Sequence, residues 1–157
     1  MQRIKNIFYI YLKILILNFT CINFALSQVT EESKILSECE FIYTYTAQFM
    51  QLKNNNGAAT NLLFRASLNT TALFFISAEN GKISAEKIKQ FEEYRKPIKI
   101  KLDNKIEDPL QLASVCDKKS LKIVERERSR NKLLWDLGFD ELQNQLFEKQ
   151  LKNLGVK

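Results

Sequence analysis

AATNLLFRASLNTTALFFISA, residues 58–78, is the most hydrophobic stretch of the chain outside its first 27 residues. Ala59, Leu62, Ala66, Leu73 and Ile76 recur at helical spacing, and Leu63, Leu68, Phe74 and Phe75 widen the apolar surface around them. A period near 3.6 over this length predicts a helix buried on much of its circumference, and therefore a helix at the centre of the fold. Its ends are punctuated by Asn54-Asn55-Asn56-Gly57 and by Asn80-Gly81, residue types that tolerate the left-handed backbone after a helix.

Working outward, Leu36, Cys39, Tyr43, Thr46 and Met50 repeat at spacings of three and four, which predicts a helix over about 31–53 with Thr30 as its N-cap. Downstream, Ser84 caps a helix carrying Ile88, Phe91, Tyr94 or Arg95, and Ile98. Pro97 falls inside that pattern and predicts a kink or a break, followed by a second piece with Ile98, Leu102 and Ile106. Ile98, Ile100 and Leu102 also alternate as a strand would, but no partner strand is evident. Asp108-Pro109 pairs an N-cap acid with proline at the first helical position. From there a helix runs through Leu112, Val115 and Cys116, pauses at Asp117 to Ser120, and resumes as a long charged helix ending near Leu137-Gly138. Asp140 then caps an amphipathic helix with Leu142, Leu146 and Leu154, terminated at Gly155. The expected architecture is all-α: a single-domain bundle of about five to six helices over residues 28–157.

Residues 1–27 have the layout of an export signal. Arg3 and Lys5 are followed by an apolar core from Ile7 to Leu17, interrupted by Lys13, and by the small-x-small site Ala25-Leu26-Ser27. The competing readings are an uncleaved anchor over Ile7 to Leu26 and a lipoprotein signal at Cys21. Lys13, Asn18 and Asn23 argue against the first, and Asn18-Phe19-Thr20 is the wrong approach to an acylated cysteine. Cleavage leaves 130 of the 157 residues, enough for one core burying roughly two thirds of the unfolded surface. The mature chain keeps no transmembrane helix. Removal of Arg3, Lys5 and Lys13 turns the net charge of +6, from 24 Lys and Arg against 18 Asp and Glu, into +3. Such a modest excess does not point to nucleic acid. Cys21 leaves as well, so Cys39 and Cys116 pair with each other in an oxidising compartment, periplasmic or extracellular.

Histidine is absent, which excludes Ser-His and Cys-His nucleophile systems, and there is no Cys-x-x-Cys or glycine-rich phosphate loop. No metal site or cofactor is implied, and no enzymatic activity is expected. Two surfaces remain as candidates. Arg65 is the only charged residue between Lys53 and Glu79; with Asn61 and Asn69 it forms a polar stripe, and Tyr43 and Glu38 of the preceding helix could complete a pocket. Either Arg65 grips a carboxylate or phosphate there, or it makes a structural ion pair. The second surface is the basic row Lys119, Lys122, Arg126 and Arg130 with Trp135, which could meet an acidic protein or envelope component, or touch a membrane peripherally. Glu125 and Glu127 interrupt it, as on an ordinary solvated helix. The leading expectation is an exported, non-enzymatic protein-interaction or binding module. The alternative is a small-ligand or lipid carrier with an inter-helix pocket near Arg65, and a histidine-free hydrolase is more distant.

Overall fold

The computed structural model describes residues 29–135 and, toward the C-terminus, 144, 145, 147–149, 151 and 152. The expected signal over 1–27 lies outside these residues, as do Asp140, Leu142, Leu146, Leu154 and Gly155 of the expected last helix. The described positions between 144 and 152 are helical. Four long helices form the body: α1 (Glu31–Leu52), α2 (Asn56–Ser77), α3 (Ala85–Asp103) and α4 (Pro109–Arg130), followed by a single turn, α5 (Lys132–Leu134). There is no strand among the described residues, only an isolated bridge between Glu79 and Lys82. No helix among them is long and apolar enough to cross a membrane.

The helices begin where the local chemistry allows. Thr30, Asn55, Ser84 and Asp108 each accept a backbone N–H of the first turn with a side-chain oxygen, which satisfies one of the donors that a helix start leaves without a partner. Asn54, with φ 59°, closes the end of α1, and Asn80-Gly81, with φ 51° and 75°, makes the tight turn after α2. Two consecutive positive φ values define the mirror-image type I′ geometry, in which asparagine and glycine are favoured. Lys87 adds a second closure there: its buried ammonium donates to the Ser77 carbonyl at 3.2 Å and to Glu79 Oε1 at 2.6 Å.

One expectation needs refinement and two need correction. The most apolar helix shares the centre with its neighbour: α1 packs against α2, α3 and α4, while α2 packs chiefly against α1 and α4. α1 can do this because its buried residues, from Leu36 to Ala47, include serine, alanine and cysteine, which let neighbouring helices approach closely. The break at Pro97 does not occur, since α3 runs unbroken from Ala85 to Asp103. Pro97 is exposed, so the carbonyl it leaves without an N–H partner can be hydrated. Ile106 is outside the helix and exposed, and residues 98–102 are helical rather than extended. The pause at Asp117 to Ser120 is also absent: α4 is continuous and ends at Arg130, capped by Asn131, well before Leu137-Gly138.

The core divides into two clusters. One holds Cys39, Ile42, Tyr43, Ala47, Ala59, Leu62, Leu63, Ala66, Ala113 and Cys116, with Phe147 and Leu151 packed against it. The other holds Leu36, Ala72, Leu73, Phe91, Ile123 and Val124. The Cys39–Cys116 disulfide, with Cα atoms 5.4 Å apart, joins α1 to α4 within the first cluster. Closing a loop of 77 residues' separation stabilises the fold by about 4 to 5 kcal/mol on the chain-entropy model.

Candidate functional site

Two helical stripes face each other across a groove. On α2, Asn61, Phe64, Arg65, Leu68 and Asn69 follow the three-and-four spacing of one helix face; on α4, Asp117, Ser120, Leu121 and Val124 do the same. Tyr43 of α1 completes the wall, and together they enclose a cleft of about 440 Å³. The size lies in the range of small-molecule sites, and the composition, apolar walls around a few converging polar groups, is typical of them.

The polar groups are connected. Arg65 Nη1 donates to Asp117 Oδ1, and the Tyr43 hydroxyl donates to the same oxygen at 2.7 Å. Arg65 Nε donates to Asn61 Oδ1 at 2.9 Å, which fixes the plane of the guanidinium. Asn69 Nδ2 donates to the Arg65 carbonyl at 2.8 Å. That bond requires the amide nitrogen to be there and turns the amide oxygen elsewhere. Asn69 is only 3% exposed, and its Oδ1 is buried with no hydrogen-bond partner among the described residues. A buried oxygen of this kind costs about 1 to 3 kcal/mol of desolvation when nothing donates to it.

Electrostatics in the cleft follows from these contacts. Burial, reinforced by the bond to Asp117, pushes the Tyr43 phenol far above its ordinary value, so it remains a protonated donor. The Asp117 hydrogen bond raises the already high Arg65 further, against the opposing effect of burial. The Arg65 and Asp117 side chains are each 41% exposed, so the ion pair can be reached from the cleft and contributes about 0 to 1 kcal/mol to stability. Arg65 and Asp117 are the charged groups among the described lining residues, and their charges cancel.

Of the residues expected to form the pocket, Arg65, Asn61, Asn69 and Tyr43 come together. Glu38 does not. Five residues before Tyr43, it is turned about 140° away around α1 and borders a smaller space of about 140 Å³ beside Cys39, Cys116 and Lys119. Burial raises its carboxyl above the usual range, with Lys34 opposing. Arg65 meets the acid Asp117 of α4, and Tyr43 of α1 bonds to the same carboxylate oxygen. Asp117, Ser120, Leu121 and Val124 escape the sequence reading because Asp117 to Ser120 resembles a helix pause; their 117, 120, 121, 124 spacing is the signal that could have found them.

The second candidate surface is differently placed. Arg126 turns toward α1, where both terminal nitrogens meet the Glu32 carboxylate, and Nη2 also lies 2.9 Å from buried Glu127. Arg130 reaches the same Glu127 at 3.4 Å. Lys119 and Lys122 are exposed, Lys119 on the side of Glu38. Trp135 is the clearest correction: it is fully buried, stacked on Phe75 with ring centroids 5.4 Å apart and lying 5.8 Å from the Arg128 guanidinium. An indole with that much apolar area is held by packing, and it offers nothing to a docking partner.

Arg95 of α3 also has a structural role. It pairs with Glu40 of α1 at 2.9 Å and donates to the Ser37 hydroxyl and carbonyl. Burial pushes the Glu40 carboxyl up while Arg95 opposes the shift. Among the described residues no group of three or more Cys, Asp or Glu gathers in a way that could hold a metal ion. Compared with protein-family models, with curated proteins and with solved structures, the chain matches none significantly.

Proposed function

We propose that this chain is an exported, non-enzymatic binding module that holds a small, largely apolar molecule in the α2–α4 cleft. The observation that carries the proposal is the partly exposed Arg65–Asp117 pair set in apolar walls. A ligand that fills the walls would bury apolar surface and meet the accessible edge of the pair. Binding without chemistry fits the polar groups: the Tyr43 phenol is held protonated and Asp117 is engaged by two donors. Export is supported by the signal-like character of residues 1–27 and by the disulfide, which persists in oxidising compartments. Docking of a protein or envelope component on the Lys119–Arg130 row is the weaker reading, because Arg126 is already paired with Glu32 and Trp135 is buried.

The test is fluorescence of N-phenylnaphthylamine, a neutral dye that brightens in apolar sites, added to the disulfide-bonded protein. The wild type is expected to enhance it saturably. Leu121→Trp, at a half-exposed lining position, should abolish the enhancement by filling the cleft. Leu133→Trp, more exposed and not among the lining residues, should leave it intact. No enhancement, or enhancement indifferent to Leu121→Trp, would overturn the proposal.

A further inference from the structure

The charge balance of the cleft restricts what its occupant can be. From sequence, Arg65 alone on an apolar helix suits a carboxylate or phosphate. In the folded protein that role is taken by Asp117, which is covalently part of the chain and always present beside it. An anionic head entering the cleft would have to compete with Asp117 for the guanidinium while sitting next to a like charge. A cationic head would meet Asp117 but face Arg65. The described lining contains no further charge to tip the balance either way.

A neutral head meets no such conflict. A guanidinium has five N–H donors, and the bonds to Asn61 and Asp117 use two of them. A carboxylate has about four acceptor sites, and Arg65 and Tyr43 both bond to Oδ1. The pair, 41% exposed on each side, therefore presents a donor beside an acceptor. Phe64, Leu68, Leu121 and Val124 supply the apolar surface next to them. Resting on the binding function proposed above, we infer that the ligand is a neutral amphiphile, with an apolar tail and an uncharged head that both donates and accepts hydrogen bonds, as a fatty amide does. Its amide N–H₂ would serve Asp117, and its carbonyl would accept from Arg65.

The experiment is displacement of N-phenylnaphthylamine from the disulfide-bonded protein at neutral pH by decanamide, decanoate and decylammonium, which share a tail and differ in head charge. Decanamide is expected to displace the dye at roughly tenfold lower concentration than either charged analogue. Asp117→Asn, which leaves Arg65 without its counter-charge, should raise decanoate affinity by roughly tenfold, and Arg65→Met should do the same for decylammonium. Decanoate or decylammonium binding the wild type most tightly would overturn the inference while leaving the binding function standing. So would dye binding that none of the three displaces. Failure of the dye itself to bind removes the binding function, and the inference with it. Should Asp117→Asn not fold, the order of the three ligands on the wild type still decides the matter.

Discussion

The two halves of α4 differ in composition, three charged residues over 109–119 against six over 120–130, and in use. In the first, Cys116 is bonded to α1, and Asp117 and Ser120 face a cleft in which Arg65 and Tyr43 converge on one carboxylate. In the second, Arg126 and Arg130 engage the partly exposed Glu32 and the buried Glu127, beside a cluster held by Leu36, Leu73, Phe91 and Ile123. A charged residue in the first half borders an open, apolar-walled cleft, whereas in the second it is one of several partners in a network around Glu127. The difference lies in what stands opposite: α2 brings a stripe of large apolar and amide side chains to the first half, while the N-terminal turn of α1 brings acids to the second.

The largest contrast should appear on breaking the covalent tie. Replacing Cys39 and Cys116 together with alanine should lower unfolding free energy by about 4 kcal/mol, read from the denaturant midpoint. Hydrogen exchange should accelerate more at Ala59, Leu63 and Ala113, in the disulfide cluster, than at Phe91 and Ile123. A loss below about 1 kcal/mol, outside the usual range for native disulfides, or uniform acceleration, would mean that the two halves do not differ as described.

Next in size is Arg65→Met, expected to cost no more than about 1 kcal/mol of stability, as for an accessible ion pair. Tyr43 continues to donate to Asp117, so the carboxylate is not stranded. Thermal unfolding checks this; a loss of several kcal/mol would mean that the pair is structural and closed to ligands.

Smaller effects separate Glu38 from Glu32, two acids on the same helix with opposite pH behaviour. Burial raises Glu38, so folding disfavours its charged form, and its contribution to stability falls as pH rises through the carboxylate range. Glu38→Gln should therefore be slightly more stable than wild type at neutral pH, and the advantage should vanish in acid below the unfolded value. Glu32 is lowered, first by its hydrogen bond to Arg126, so its contribution is present at neutral pH and is lost as pH falls through its folded value. Arg126→Met should accordingly lower stability at neutral pH, less so at high salt, and lose that effect in strong acid. Denaturant curves across pH test both; parallel pH profiles for the two variants would contradict the assignment of causes.

Much of the helical layout was legible because it depends on local signals. Thr30, Ser84 and Asp108 act as caps where the sequence places them, and Asn54 and Asn80 take the left-handed backbone that their side chains tolerate. The disulfide followed from counting cysteines. The failures concern what tertiary context decides: Pro97 is absorbed because it is exposed, and the polar run at Asp117 to Ser120 is continuous helix, with Asp117 and Ser120 turned to the cleft and Lys119 toward Glu38. Four members of the pocket were readable from the isolation of Arg65 and the spacing of Asn61 and Asn69. The partner Asp117 was not, since an acid 52 residues away leaves no local trace in α2. Trp135 was misassigned for a related reason: adjacent basic residues suggested a surface, but Phe75 across the bundle takes the indole into the interior.

The most direct test of the cleft as the binding site is amide and methyl chemical-shift mapping of the isotope-labelled, disulfide-bonded protein titrated with decanamide. Saturable shifts should concentrate at Tyr43, Arg65, Leu68, Asn69, Leu121 and Val124. Shifts confined to the Lys119–Arg130 row and the exposed Leu133 and Leu134, with the cleft residues unmoved, would contradict the account.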